Sequence, residues 1–315
     1  MHAGEKHILW LTENYPPLRG GMSQSCDRIV NGLRKHGFRI HIIHFTNRNE
    51  PFITDSIHNG SYSVIPIYEN EAHTANLCWN YIGRMPYTFS KVVSFGGYIP
   101  ILTGPVYAKW MQIPLVTLLR GNDFDTSVFN SRRRSLLDDA LLGSESVGCV
   151  SMDEVQKIKR LYPGLHPAYT PNGIEIKEWE VLPSDKKFAE TWRLEKLDGR
   201  LSLGIFGQVK EKKGLEVLLQ GIKKSEVSHR YFLIVTGAEN EQLRDILVPA
   251  GIRFELLPFL DRSELVKYYA ACDAVVIPSH YEGMPNVMLE AGALGVPVIA
   301  SATGGMKDVM AGFDT

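Results

Sequence analysis

Residues 278–305 read PSHYEGMPNVMLEAGALGVPVIASATGG, and this stretch decides the fold of the second half of the chain. It predicts a strand that ends near its first residue, a glycine turn, a helix over residues 285–294 and a second strand over residues 297–301. Pro285 is expected at the first helical position because proline has no N–H to leave unpaired there, and Gly295 lies just beyond the predicted end. Strand, helix and strand in this order predict a parallel sheet.

The start of this helix predicts an anion-binding site. Its first turn leaves the amides of Asn286, Val287 and Met288 without partners inside the helix, at the positive end of the helix dipole. Gly283 lets a ligand approach the backbone, so a diphosphate fits there. Glu290 lies about 7 Å further along the axis, where its carboxylate can accept two hydrogen bonds from a ribose diol.

A second carboxylate, Glu282, precedes the helix and is expected to point the other way, towards a sugar. Two glutamates with this spacing are also common on solvated helix faces, so the pair alone is weak evidence. The whole run, from the proline and serine ahead of Glu282 to the two glycines after the second strand, resembles the E-x7-E segment of family 4 glycosyltransferases (glycosyl transferases group 1). The resemblance implies the GT-B fold, in which two Rossmann-like α/β domains with parallel sheets face a central cleft, and transfer that retains anomeric configuration.

Composition limits the classes of partner. The chain has 315 residues, with 34 Lys and Arg against 35 Asp and Glu, so no global field attracts nucleic acid. Four scattered cysteines indicate neither a zinc site nor a disulfide framework. The sequence contains no run of eighteen apolar residues and does not begin like a signal peptide, which favours the cytoplasm. Residues 131–135, SRRRS, are assigned to a solvated loop, with peripheral contact to anionic lipid as the alternative.

Short β-rich runs alternate with helical patterns along the chain, which predicts βαβ units in two domains. The polar segment over residues 171–200 places the boundary so that residues 1–180 form an acceptor-binding domain and residues 181–315 a donor-binding domain. The candidate strands are residues 7–12, 39–45, 63–68, 91–95, 114–119 and 146–151, followed by 201–207, 231–237, 253–259, 274–278 and 297–301.

The first strand is followed by residues 13–21, ENYPPLRGG, and then by an amphipathic helix. The G-x-G-x-x-G dinucleotide fingerprint is absent, which disfavours a dehydrogenase. The two glycines of the loop, Gly20 and Gly21, either serve only to turn the chain or, as the resemblance implies, approach the donor sugar and the acceptor.

Residues 206–214, FGQVKEKKG, resemble the family's G-R-x-x-x-x-K-G element, whose arginine and lysine neutralise the donor diphosphate. Lys213 falls on the lysine position, but Gln208 replaces the arginine. This is a departure from the pattern, because glutamine brings no charge and charge-assisted hydrogen bonds are about twice as strong as neutral ones. Candidates for the missing cation are Arg19, Arg120, Lys210 and Lys212.

Arg120 begins the segment RGND, where relatives carry histidine-glycine-x-aspartate at the cleft. Contact with the acceptor or a phosphate and a salt bridge within the domain both remain open for it. Asp123 and Asp125 spell D-x-D, a metal motif of the unrelated GT-A fold, but GT-B sites use a helix dipole and cations, so no metal is expected. Phe259 and the helix after it match the element that holds the nucleobase in relatives, and residues 171–175, PNGIE, match the turn at the end of their first domain.

The sequence thus predicts a retaining, metal-independent transferase that needs no cofactor and moves a sugar from a nucleoside diphosphate to a hydroxyl of a glycan, a lipid-linked saccharide or a small molecule. A role in polysaccharide or glycoconjugate synthesis is expected. The alternatives are a non-catalytic sugar-nucleotide-binding or partner-binding protein and a sugar-nucleotide epimerase of the same fold. The catalytic candidates are Glu282, Lys213 and Arg120, and the donor-binding candidates are Gly20, Gly21, Gln208, Lys213, Phe259, Gly283, Met284, Pro285, Asn286, Val287 and Glu290.

One further expectation concerns length. Relatives usually continue beyond the element G-G-x-x-[DE], which is found here at residues 304–308. The carboxyl-terminal domain is therefore expected to be incomplete.

Overall fold

The computed structural model describes residues 6–47, 54–121, 123–208, 210–237 and 241–311. Asn122 and Val209, which fall within two of the predicted motifs, lie outside the described residues. The chain divides into two compact units, Met1–Asn172 and Gly173–Thr315. Each unit contains its own mainly parallel sheet.

The strands of unit 1 are β1 (His7–Thr12), β2 (Arg39–Thr46), β3 (Thr54–Ile57), β4 (Gly60–Pro66), β5 (Phe89–Phe95), β6 (Leu115–Leu119), β7 (Ser146–Cys149) and β8 (Ala168–Tyr169). They form one sheet in the order β3-β4-β2-β1-β5-β6-β7-β8, in which only the β3–β4 pair is antiparallel. The helices are α1 (Gly21–Lys35), α2 (Glu71–Ile82), α3 (Tyr98–Met111), α4 (Asp123–Val128), α5 (Ser131–Leu142) and α6 (Met152–Leu161).

β1 lies near the middle of this sheet, and its side chains contribute to the buried core. Leu9, Trp10 and Leu11 are all at most 1% exposed, so side chains on both faces of the strand are buried. Continuous apolar strands of this kind are typical of parallel sheets that helices cover on both faces. The carboxyl ends of β1, β5 and β6 therefore lie along one edge, from which the loops to α1, α3 and α4 depart.

The strands of unit 2 are β9 (Leu201–Ile205), β10 (Tyr231–Thr236), β11 (Arg253–Leu257), β12 (Ala274–Ile277) and β13 (Val298–Ala300). They are all parallel, in the order β11-β10-β9-β12-β13. The helices are α7 (Pro183–Lys196), α8 (Leu215–Lys224), α9 (Glu241–Leu247), α10 (Arg262–Ala271), α11 (Asn286–Ala293) and α12 (Gly304–Met310). Among the described residues, no helix combines the length and apolar character needed to cross a bilayer.

Every strand predicted from the sequence is confirmed, although several ends shift; β4, for example, begins at Gly60 and not at Ser63. Two short edge strands, β3 and β8, were not predicted. β3 pairs antiparallel with β4 through a tight turn at Asn59, whose φ is 56°, and this turn was not recognised.

The predicted helix after β12 is confirmed, but the position of Pro285 is corrected. Pro285 has ψ 131° and is the N-cap residue, so the helix starts one residue later, at Asn286. The carbonyl of Pro285 accepts a hydrogen bond from the amide of Met288 at 3.2 Å. The stop is as expected, because Gly295 has φ +70° directly after the C-cap residue Leu294.

Candidate functional site

The candidate site lies in unit 2, where the loops that follow β9 and β12 meet. These two strands are neighbours, and the strand order reverses between them, with β10 and β11 on one side and β13 on the other. Ligands of open α/β sheets bind at the carboxyl ends of the strands at such a point. A pocket there is lined by Ile205, Phe206, Gly207, Gln208, Lys213, Val276, Ile277, Pro278, Ser279, Pro285 and Val287.

The two loops are held against each other by their backbones. The amide of His280 donates to the carbonyl oxygen of Lys212 at 2.9 Å. Gly214 has φ +66°, and a Cβ at this position would lie 2.0 Å from the carbonyl oxygen of Pro278. Both the backbone conformation and the lack of space therefore require glycine, and the lysine just before it is brought to the β12 loop.

Lys213 and Glu282 form an ion pair in this site, in which Nζ contacts Oε1. Ser279 Oγ donates to the same carboxylate oxygen at 3.2 Å. Glu282 is 9% exposed, so its carboxylate is turned into the site and not into bulk water. The pairing offsets part of the cost of burying the carboxylate, and it holds the half-buried ammonium group between the loops that follow β9 and β12.

The turn ahead of α11 is held by the glycines that begin α12. Gly304 has φ +49°, and a Cβ there would lie 1.8 Å from the carbonyl oxygen of Glu282. The amide of Gly305 donates to the carbonyl oxygen of Gly283 at 2.5 Å. The two glycines that end the sequence motif therefore fix the backbone of the turn. A side chain at either position would collide with the carbonyl oxygen of Glu282 or of Gly283.

The first turn of α11 carries no acidic residue, so no carboxylate within that turn neutralises the positive end of the helix dipole. Met284 and Asn286 are 6% and 7% exposed, and Val287 lines the pocket. The amide end of this helix is thus built into the pocket beside Lys213, which is the arrangement that suits an anion.

Glu290 is buried one turn further along α11, with 4% exposure. Its Oε2 accepts a hydrogen bond from the hydroxyl of Tyr269 at 2.9 Å. Tyr269 is fully buried, and the centre of its ring lies 4.1 Å from the centre of the Phe206 ring. Burial and the neighbouring Glu290 raise the pKa of Tyr269 well above its usual value, so the tyrosine remains a neutral donor. It holds the carboxylate in one orientation.

The sequence analysis matched the helix that contains Tyr269 to the nucleobase element of relatives, but it did not single out Tyr269 as a site residue. It lies on the buried face of α10 with Val266, and an aromatic residue at helical spacing is typical of a core position. Nothing local distinguishes it, since its partner Glu290 is 21 positions away in the chain.

We expect Tyr269→Phe to weaken nucleotide binding about three- to tenfold, while kcat changes little. This range corresponds to the net free energy of one hydrogen bond. The phenyl ring keeps the packing on Phe206, so folding should be retained. Isothermal titration with a nucleoside diphosphate measures the effect, with Tyr268→Phe as the matched control. Equal affinities of both variants and the parent would show that the hydroxyl does not position Glu290.

Two other predicted donor residues follow strands of unit 2. Gln208 follows β9, is exposed and lines the pocket, so it is available to a ligand. Phe259 follows β11, which is separated from β12 by two strands, and is 40% exposed. The donor role of these two residues remains a prediction.

The remaining candidates lie in unit 1. Gly20 is the N-cap residue of α1 with φ 138°, and its carbonyl accepts from the amide of Gln24 at 3.1 Å. A Cβ at Gly20 would meet no described atom within 4 Å, so the conformation and not the space requires glycine. Gly21 begins the helix.

Arg120 follows β6 and is 4% exposed. Its terminal nitrogens donate to the carbonyl oxygen of Thr170, to Oδ1 of Asn172 and, at 3.3 Å, to Oγ of Ser25. Burial lowers the pKa of Arg120 to about 10, so the guanidinium remains charged at neutral pH. These contacts tie the end of unit 1 to β6 and α1. They give Arg120 a positioning role, and its catalytic role remains a prediction.

The two aspartates of the D-x-D segment have protein partners. Asp123 accepts from the amides of Gly97 and Arg120 at 3.1 and 3.0 Å, and Asp125 pairs with Lys157 at 3.0 Å. The described ranges contain no group of three or more side chains that could hold a metal ion.

Glu154, on α6, is a buried acid that the sequence analysis did not identify. Its Oε2 accepts from the amide of Val150 at 3.1 Å, whereas its Oε1 has no hydrogen-bond partner. Burial, together with the nearby Asp123, raises the pKa of Glu154 to about 8. The folded state therefore binds this proton more tightly than the unfolded chain does.

A pH-dependent stability follows from Glu154. The contribution of Glu154 to the free energy of unfolding is fully present below about pH 4.5, the ordinary pKa of a glutamate. It is lost as the pH rises through about 8. We expect Glu154→Gln to be more stable than the parent at pH 9 by more than about 1.4 kcal/mol, the equivalent of one pKa unit, and the difference to shrink towards pH 5. Urea unfolding at both pH values measures it. A less stable variant at pH 9 would show that Arg120 keeps the carboxylate ionised.

Comparison with known proteins finds glycosyltransferases. Residues 187–315 match the family model described as glycosyl transferases group 1. An uncharacterized glycosyltransferase of Methanocaldococcus jannaschii is 24% identical over 96% of this chain and 82% of its own length. A D-inositol 3-phosphate glycosyltransferase of Stackebrandtia nassauensis is 33% identical in an alignment that spans 45% of this chain and 34% of that relative.

Solved structures show the same fold. Sucrose-phosphate synthase from Thermosynechococcus elongatus aligns with a TM-score of 0.79 at 17% identity, over 96% of this chain and 83% of that one. HepE of Anabaena, in complex with UDP-glucose, aligns with a TM-score of 0.74 at 18% identity, over 96% and 82% of the two chains. The chain is therefore a glycosyltransferase with the GT-B fold, and its residues 187–315 match the glycosyl transferases of group 1.

Proposed function

We propose that this glycosyltransferase moves a sugar from a nucleoside diphosphate to a hydroxyl acceptor, with retention of anomeric configuration and without a metal ion. The observation that carries the proposal is that Lys213 and the start of α11 line one pocket of unit 2, with Glu282 paired to Lys213 and Glu290 buried further along α11. The complex of HepE with UDP-glucose supports a nucleotide sugar as the donor.

The diphosphate would bind to the amides of Asn286 and Val287 and to the ammonium group of Lys213. Phosphate oxygens would then compete with Glu282 for Lys213, since the two side chains are paired in the free protein. The released carboxylate of Glu282 would accept hydrogen bonds from the hydroxyls of the donor sugar, while Ser279 limits its movement. Glu290, oriented by Tyr269, would accept from the ribose diol.

Chemistry would proceed at the anomeric carbon of the donor. The bond from this carbon to the phosphate oxygen breaks, and the acceptor oxygen attacks from the same face. The leaving phosphate takes the proton of the acceptor hydroxyl, so no protein side chain needs to act as a covalent nucleophile. Lys213 and the helix amides stabilise the charge that develops on the leaving diphosphate, a preorganised electrostatic contribution usually worth several kcal/mol.

Donor binding is assigned to residues 181–315 and acceptor binding to residues 1–180. In the acceptor domain, Gly20 and Gly21 would approach the substrates at the start of α1, and Arg120 would shape the neighbouring backbone through its contacts in unit 1. The acceptor class remains a glycan, a lipid-linked saccharide or a small molecule, in the synthesis of a polysaccharide or glycoconjugate. The cytoplasm is the proposed compartment.

Thermal unfolding in the presence of UDP, GDP, ADP and their sugars tests the donor class. A bound nucleotide at a hundred times its dissociation constant should stabilise the fold by about 2.7 kcal/mol. Product analysis with the selected donor and a mixture of acceptor saccharides then tests transfer. No stabilisation by any nucleotide would contradict the proposed site.

A second candidate, a protein that binds the sugar nucleotide without transfer, is favoured by one observation. Gln208 stands where the family pattern has a cation, so the pocket has one positive charge fewer for the leaving group. Stabilisation by a nucleotide sugar with neither transfer nor slow donor hydrolysis would support this candidate. Conversion of the donor alone into another nucleotide sugar would instead identify an epimerase.

A further inference from the structure

A basic and aromatic patch lies at the start of α5 in unit 1. Phe129 precedes the N-cap residue Asn130 and is 89% exposed. Arg132, Arg133 and Arg134 follow in the first turn, and all three are exposed. These four residues, Phe129, Arg132, Arg133 and Arg134, are called the α5 patch.

The α5 patch is unfavourable for the isolated protein in two ways. Cations in the first turn of a helix oppose the helix dipole, and the first turn of α5 contains no acidic residue to compensate. A nearly fully exposed phenyl ring leaves its apolar surface in water. A single partner that is anionic and offers an apolar layer would relieve both, and a bilayer surface of anionic lipid has both properties.

The neighbours of the α5 patch hold its arginines without neutralising them. Arg132 pairs with Glu71, yet its side chain stays 71% exposed. The guanidinium of Arg133 lies 5.5 Å from the centre of the ring of Tyr98. Glu13 is a second acid on which the charge of Arg133 acts, and the three arginines still outnumber Glu71 and Glu13, on a chain whose net charge is −1. The attraction is therefore local to this surface.

The contact between Arg133 and Tyr98 also fixes the place of the patch in the fold. Tyr98 is the first residue of α3, which follows the carboxyl end of β5. β5 pairs with β1, and the loop that carries Gly20 and Gly21 follows the carboxyl end of β1. The α5 patch therefore lies at the same edge of the sheet as the loop assigned to the substrates.

We propose that the α5 patch docks unit 1 on a membrane surface that contains anionic lipid. The arginines contact headgroup phosphates, and Phe129 enters the interfacial layer, where aromatic side chains are favoured. Docking at this edge would bring the acceptor domain to lipid-linked saccharides. This goes beyond sugar transfer and can be tested without a donor or an acceptor.

Vesicle sedimentation tests the proposal. The parent protein should bind vesicles with about 30% phosphatidylglycerol at about 0.1 M salt, should not bind pure phosphatidylcholine, and should be released at about 0.5 M salt. The triple variant Arg132→Ser, Arg133→Ser and Arg134→Ser should bind at least about tenfold more weakly, since each cation near an anionic surface contributes severalfold. Phe129→Ser should bind several times more weakly with its charges intact.

A matched control removes the same number of charges elsewhere. Lys186→Ser, Lys187→Ser and Lys224→Ser replace three exposed lysines of unit 2 and should leave vesicle binding unchanged. Equal binding of the arginine variant and this control would overturn the proposal. So would failure of the parent to bind the anionic vesicles, which would leave the patch as a solvated surface, or equal binding to neutral vesicles.

A labelled cysteine reports insertion directly. All four native cysteines are buried, so Phe129→Cys provides an accessible thiol for an environment-sensitive dye. Its emission should shift to the blue on anionic vesicles, whereas the same dye at Leu194→Cys, which is 86% exposed on α7, should not respond. Equal responses at the two positions would also overturn the proposal.

Discussion

Replacing Lys213 by alanine should lower kcat/KM about 100- to 1000-fold, the range observed when one preorganised group that stabilises developing negative charge is removed. Lys213 is the cation that the structure places in the pocket beside the amide end of α11. Its loss removes charge stabilisation that grows as the diphosphate leaves, so most of the effect should appear in kcat. Initial rates with the donor selected by thermal unfolding measure it.

The partner of Lys213 complicates this experiment and also sharpens it. Without the ammonium group, the buried carboxylate of Glu282 loses its ion-pair partner, which costs stability. Lys213→Gln keeps a hydrogen-bond donor without the charge and should fold better than the alanine variant while remaining slow. Lys223→Ala, an exposed lysine on α8, is the matched control and should keep full activity. Unchanged kinetics in both Lys213 variants would refute the assignment.

The order of strands and helices could be read from the sequence because it depends on local patterns. The apolar runs of β9 and β12 and the glycine and proline residues around α11 each signal their structure within a few positions. The error at Pro285 was only one position, since its fixed φ suits both the N-cap and the first helical residue. The missed edge strand β3 has few neighbours and a weak pattern.

The details of the site depend on contacts between residues that are distant in the chain. Lys213 and Glu282 are 69 positions apart, and no local signal indicates that they pair. The motif G-G-x-x-D could be recognised, but its reason, the approach of Gly304 to the carbonyl of Glu282, appears only once β13 returns the chain to the turn. Arg120 shows the same limit, because its partner Asn172 is 52 positions away.

Replacing Glu290 by alanine should weaken donor binding at least about 10- to 100-fold, since even one hydrogen bond to a charged group contributes about 1.5–3 kcal/mol. The carboxylate is 4% exposed and fixed by Tyr269, so it is already oriented before the nucleotide arrives. A preorganised group of this kind acts on binding more than on the chemical step, and kcat should fall much less than affinity. Titration with the nucleoside diphosphate measures the change.

Nucleotides that lack ribose hydroxyls make the role of Glu290 specific. The parent should bind a 2′,3′-dideoxy nucleotide more weakly than the normal one, whereas Glu290→Ala should bind both about equally, because the same hydrogen bonds are lost in either change. Glu290→Gln, which keeps the volume and one acceptor oxygen, should fall between the two proteins. If Glu290→Ala still discriminates against the dideoxy nucleotide as strongly as the parent does, the ribose is held elsewhere, and the carboxylate serves to hold Tyr269 within the fold.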